Sequence, residues 1–184
     1  MKGLFVLIFV SLSCFSQAQT YSTVVPDEPI YSFLNWFVRF GPKHGKESLF
    51  KRKQINNKII QWPNFTELDE MSKFYYAPVF FPEHDTTPIF KVADTKYLFQ
   101  QLDAKQDTLW REKFKHSKLV DSKKSQKANP YNFSMPLFSL DGNYAIIEYS
   151  YYCGSVCAHG GTFIYEKCGI RKWKLYKTVI TWMS

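Results

Sequence analysis

Glycine and cysteine are scarce in this 184-residue chain, at eight and four, and no glycine-rich loop of the kind that cradles phosphates is present. Paired-carboxylate patterns and calcium-binding loops are missing as well, which removes the usual sequence signatures of glycoside hydrolysis and calcium binding. Acid is the minority charge, with 16 Asp and Glu against 24 Lys and Arg. There is no internal repeat, no linker and no second domain. What the chain does have is apolar bulk: 45% hydrophobic and 18% aromatic residues suffice for one well-filled core and argue against disorder.

The N-terminus has the layout of a signal peptide. Met1 and Lys2 form a short positive region, Leu4 to Val10 is an unbroken apolar run, and small or polar residues lead to a cut expected at Ala18/Gln19. The apolar run is too short to cross a bilayer of roughly 30 Å. A lipoprotein would use Cys14, but Leu12 stands one place late for a good lipobox. The expected organisation is therefore a leader over residues 1–18 and a single α+β domain over 19–184, exported to the periplasm or beyond. Losing Lys2 with the leader lowers the formal charge from +8 to +7. The cations fall in three stretches, Lys43 to Lys58, Lys113 to Lys127 and Lys167 to Lys177. Such a balance attracts anionic partners, although dispersed lysines are more often a solvated face.

Along the mature chain, Ile30, Phe33, Leu34, Phe37 and Val38 follow the spacing of a helix with one buried face. Asp27 is placed to cap it and Gly41-Pro42 to end it. Ser48 to Ala77 is mixed, and Pro78, Pro82 and Pro88 leave room only for short or edge strands at Val79–Phe81 and Ile89–Val92. Asp94 is a candidate cap for a second helix carrying Tyr97, Leu98 and Leu102. Lys115 to Pro130 reads as a polar loop. Phe133–Ser139, Tyr144–Tyr152, Thr162–Lys167 and Lys172–Ile180 are β-rich segments separated by turn chemistry at Asp141-Gly142, Gly160-Gly161 and Cys168-Gly169. The fold class implied is α+β, with N-terminal helices packed on a C-terminal antiparallel β-meander.

Three cysteines remain after the leader: Cys153, Cys157 and Cys168. In an oxidising compartment Cys153 and Cys157 are candidates for a small disulfide closing the segment Cys153 to Gly161, read as a loop between strands. Alternatives use the same residues: a metal site of Cys153, Cys157 and His159, a redox dithiol, or a cysteine nucleophile served by His159. The first lacks a visible fourth ligand, the second has three intervening residues where two are usual, and the third has no orienting acid. Cys168 reads as an exposed thiol, or as the partner of one of the other two. His84-Asp85 and Ser139 with Asp141 are weak acid-base and nucleophile candidates, the latter better explained as turn chemistry. Tyr149, Tyr151, Tyr152 and Tyr165 are candidates either for a stacking surface or for the core.

The stretch from Phe133 to Ala145, then Tyr152-Cys153-Gly154 with Cys157, and finally Lys172-Trp173-Lys174, resembles a family of small uncharacterised secreted proteins of Bacteroidota-type bacteria. The likeness covers the last third and, more weakly, Asp94 to Trp110. It departs at Ala158, where the family pattern has glycine, and at Cys168, where it has asparagine. The resemblance implies export and a shared fold and carries no activity. The sequence thus leads to an exported non-enzymatic module that needs no cofactor and binds a partner, an anionic envelope surface or a glycan rather than nucleic acid. The alternative is a small envelope enzyme or metal-binding protein built on Cys153, Cys157 and His159.

Overall fold

The computed structural model describes residues 21–41, 53–65, 67–80, 89–111, 114–115, 117–121, 130–154 and 157–183, without the side chains at 53, 71, 74, 78 and 152–154. The leader and the His84-Asp85 pair lie outside the described residues. The elements run α1 (Asp27–Phe40), β1 (Lys53–Ile60), α2 (Glu70–Phe80), α3 (Val92–Asp103), β2 (Ser117–Val120), β3 (Tyr131–Ser134), β4 (Leu137–Phe138), β5 (Tyr144–Gly154), β6 (Cys157–Gly169) and β7 (Lys172–Met183).

All seven strands belong to one mixed sheet ordered β2-β1-β3-β5-β6-β7, with β4 attached to β5. The last three strands are the expected antiparallel meander. Ahead of them, β1 runs parallel to both β2 and β3, so the sheet begins well before the C-terminal third. The helices are also distributed differently from the expectation. α1 precedes the sheet, but α2 and α3 lie in the chain between the parallel strands β1 and β2. Parallel neighbours need such a crossover, because a tight turn cannot reverse the chain twice.

Alternation along the strands sorts the core into two clusters. On one face Ala145, Ile147, Tyr149 and Tyr151 of β5 join Phe163 and Tyr165 of β6 under the stripe of α1. Phe33 is the centre of that cluster, edge-on to Phe138, Tyr165 and Trp173, which suits the ring quadrupoles. On the other face Leu137, Ile146 and Ile164 pack with Phe65, Val79, Phe80 and Leu98 from α2, α3 and the segment before them. The second face is therefore covered over this stretch as well.

Several local expectations are corrected. Asp27 is the first residue of α1 rather than its cap, which is Pro26; its carboxylate accepts the N–H of Tyr21 at 3.1 Å. Gly41 ends the helix as expected, with its N–H on the Phe37 carbonyl. Val79 and Phe80 belong to the last turn of α2 rather than to a strand, where Pro78 forfeits a single intrahelical bond. Val92 opens α3, and Asp94 sits inside its first turn, where its carboxylate takes the N–H of Lys91 and of Leu140. The helix ends at Asp103, so Leu109, Trp110 and Phe114 lie beyond it. Trp110 and Phe114 still reach the first cluster. Within the expected loop 115–130, Ser117–Val120 pairs with β1 as β2.

Gly160 and Gly161 are not a turn; they lie inside β6. A Cβ on Gly160 would come within 2.6 Å of the Trp182 ring, and one on Gly161 within 2.2 Å of the Ile180 carbonyl oxygen. Close approach between β6 and β7 is what requires glycine there.

α3 is tied to the sheet by one buried amide. Gln101 accepts the Phe138 N–H at 2.9 Å and donates to the Phe138 carbonyl at 2.7 Å, satisfying both backbone polar groups of that residue in the short strand β4. Gln101→Leu leaves that pair buried without partners and is expected to cost about 2–4 kcal/mol. Urea unfolding of the two proteins measures it, and an unchanged midpoint would show that the amide is dispensable.

Candidate functional site

The cysteine segment is mostly strand. β5 and β6 pair as far as Tyr152 with Ala158, and Gly154 with Cys157 after a bulge, so Ala158 and His159 are ladder residues and only residues 155–156 separate the strands. His159 stands opposite Tyr151, the two rings 5.2 Å apart. Cys157 is exposed and engaged in a disulfide, whereas Cys168 is exposed and free. Eleven residues of extended strand set Cys168 about 36 Å from Cys157, which removes it as a partner in the hairpin. A sulfur held in a disulfide offers no thiolate to a metal or a substrate. Among the described residues no group of three His, Cys, Asp or Glu is arranged to hold a metal ion; the side chain of Cys153 lies outside that description.

The other sequence candidates resolve into packing and turn chemistry. The Ser139 hydroxyl donates to Asp141 at 2.6 Å and accepts the Tyr144 N–H at 2.9 Å. Asp141 also takes the N–H and side-chain amide of Asn143. The Ser139 bond, followed by the Asn143 N–H, holds the Asp141 carboxyl below the ordinary carboxylate range. That is the geometry of a hairpin turn, with Gly142 at φ 68°. Tyr149, Tyr151 and Tyr165 are core residues, and burial drives the phenols of Tyr149 and Tyr165 well above their usual range. Tyr152 lies outside the described side chains.

One acidic residue was missed. Glu148 is half-buried in the middle of β5, its N–H bonded to the buried Ser134 hydroxyl at 2.9 Å. Burial raises its carboxyl pKa. Tyr76 of α2 is near enough that its phenol is raised first by its own burial and then by the Glu148 charge. Beside them, Asn56 donates to Asn132 and Asn132 to Ser150 across three strands. The signal in the sequence was a lone carboxylate inside the apolar run Tyr144 to Tyr149.

The most distinctive surface lies at the end of the sheet opposite the cysteine hairpin. Leu140 is joined to the first turn of α3 through Asp94 at 3.0 Å. The Lys167 N–H meets the Asn143 carbonyl at 2.8 Å, which brings the β6–β7 turn to the same end. Three apolar tips protrude there: Val92 at 80%, Leu140 at 59% and Ile170 at 91% exposure. Leu175 and Tyr176 are exposed on the adjoining part of β7. Lys91, Lys96, Lys167, Arg171 and Lys172, within four residues of Val92 or Ile170 in the chain, are themselves exposed. The acids of this end are turned to the protein, with Asp94 and Asp141 on backbone N–H groups and Glu166 paired to Lys174 at 2.8 Å.

Compared with known proteins, the chain matches no family model, no curated protein and no solved structure.

Two outcomes follow from this geometry. Alkylation of the native protein without reductant is expected to label Cys168 and to spare Cys157, read by peptide mass; a labelled Cys157 would mean a free thiol there. The raised carboxyl of Glu148 keeps its proton more firmly in the folded state than in the unfolded one. Its contribution is therefore favourable at low pH and lost as pH climbs from 4.5 through the raised native value. Glu148→Gln should be the more stable protein at neutral pH and lose that advantage well below 4.5, as followed by thermal unfolding across pH.

Proposed function

We propose that this chain is an exported, non-enzymatic binding module that docks on an anionic envelope surface, with its β5–β6 hairpin stapled by a Cys153–Cys157 disulfide. The observation that carries the reading is the set of exposed apolar tips Val92, Leu140 and Ile170, with exposed Lys and Arg side chains close to Val92 and Ile170 in the chain. An isolated exposed apolar residue needs no explanation. Three at one end of a sheet, on two turns and a helix start and with cations close to two of them in the chain, match an interfacial lipid surface, where apolar tips enter the headgroup boundary and cations meet anionic lipid.

The magnitudes favour reversible docking. Burying one large aliphatic side chain is worth about 1.5–3 kcal/mol and each cation near an anionic bilayer about 1 kcal/mol, before the cost of immobilising the protein. No helix of the described residues is long and apolar enough to cross a membrane, so peripheral contact is the relevant mode for this end. The signal-peptide layout, the oxidised state of Cys157 and the resemblance to a secreted family support export, since disulfides persist in oxidising compartments.

Sedimentation with vesicles tests the reading. Binding is expected to phosphatidylglycerol-containing vesicles and not to pure phosphatidylcholine, and to fall steeply with salt. Ile170→Asp should weaken it about tenfold, and Lys167→Glu with Arg171→Glu and Lys172→Glu should abolish it. Equal binding by wild type and both variants, or none by wild type, would overturn the assignment.

A further inference from the structure

A cleft of about 290 Å³ opens between the segment after β1 and the C-terminal turn of α3, remote from the basic end of the sheet. Its walls include the rings of Trp62, Phe65 and Phe99 and the polar side chains of Gln61, Asp103 and Gln106. We propose that this cleft binds a small organic ammonium ion, with the charge held against Asp103 and the aromatic walls. This proposal is independent of the membrane-docking reading.

The first argument is the direction of the hydrogen bonds. The Trp62 indole N–H donates to the Met135 carbonyl at 2.8 Å, so the ring is fixed and its one donor is spent inside the protein. The Gln61 amide nitrogen donates to the Ile59 carbonyl at 3.3 Å, and that of Gln106 to the Gln101 carbonyl at 2.8 Å. These bonds leave the two glutamine carbonyl oxygens and the Asp103 carboxylate as acceptors, beside the second N–H of each glutamine amide, and Asn64 lines the cleft as well. The one charged side chain among the residues that line the cleft is the Asp103 carboxylate, which favours a cation over an anion there.

The second argument is electrostatic. The cleft sits at the C-terminus of α3, where the last carbonyls of a helix carry partial negative charge. Asp103 adds a full negative charge at that end, and the last turn of α3 contains no basic residue. A carboxylate there is repelled by the helix, and a bound cation relieves the repulsion. Among the described residues no cationic side chain lines the cleft, although the chain as a whole is strongly basic.

The third argument is the walls. Phe65 and Phe99 stand edge to face at 6.4 Å, and Trp62 presents an indole whose polar edge is already occupied. Aromatic faces attract cations through the ring quadrupole, and the attraction strengthens as water is excluded. The volume suits a headgroup-sized cation rather than a polymer.

Calorimetric titration of the mature protein with choline, with its uncharged isostere 3,3-dimethyl-1-butanol and with glucose decides the matter, with indole fluorescence as a second readout. Choline is expected to bind at least about tenfold more tightly than the isostere, and glucose not to bind. Asp103→Asn keeps the shape, lies on an exposed helix turn, and should weaken choline about tenfold while leaving the circular dichroism unchanged. Choline should also raise the melting temperature of the wild type more than that of the variant. Equal binding of choline and isostere, binding of glucose in place of choline, an unaffected Asp103→Asn, or no response to millimolar choline would each overturn the proposal.

Discussion

The structure depends on β5 and β6 being covered on both faces. Within three consecutive residues of β5, Ala145 and Ile147 point to one cluster and Ile146 to the other, and Phe163, Ile164 and Tyr165 do the same on β6. A pair of strands that is apolar on both sides cannot lie at a surface, because each side removed from water contributes through its own buried area. One helix cannot cover both sides. α1 takes the first, and α2 with α3 must be brought around to the second, which the crossover between the parallel strands β1 and β2 achieves. The Gln101 amide then fixes α3 at the point where the short strand β4 would otherwise bury two unpaired backbone groups.

That arrangement also places the surfaces on which the two proposals rest. The β4–β5 and β6–β7 turns and the start of α3 are gathered at one end of the sheet, and their apolar tips are exposed. The opposite end carries the cysteine hairpin, where the ladder continues almost to the turn. The C-terminal turn of α3 lies on the covered face beside Trp62, so a cleft with a negative edge forms on a protein whose net charge is positive. The membrane-docking and cation-binding proposals thus draw on opposite local fields, which net charge alone does not reveal.

The sequence was most legible where the signal was local. The stripe Ile30 to Val38 marks α1 because residues three and four apart share a helix face whatever they pack against. The β-rich segments of the last third were readable for the same reason, with period two in place of 3.6. The Ser139–Asp141–Gly142 turn was recognised because its chemistry is contained in five residues. Short apolar runs were the weak point: Val79–Phe80 became the end of a helix and Ile89–Val92 a bend with a helix start, since a few apolar residues fit either period. Ser117–Val120 was hidden in a lysine-rich stretch because a strand at the sheet edge needs little apolar content. Gly160-Gly161 has the composition of a turn, but the reason for the glycine at 160 includes Trp182, some twenty residues away.

The sequence by itself determined which residues form α1, the existence of the C-terminal meander and the supply of aromatic side chains for a core, all of which depend on neighbours within a turn or a strand length. Only the tertiary structure decided that the sheet begins at β1, that Tyr149 and Tyr165 are interior, that Glu148 faces Tyr76, and that Val92, Leu140 and Ile170 share one end. Those facts depend on pairings between residues tens of positions apart. Such pairings are chosen by the burial and hydrogen bonding of the whole chain at once, so no local window of sequence contains them.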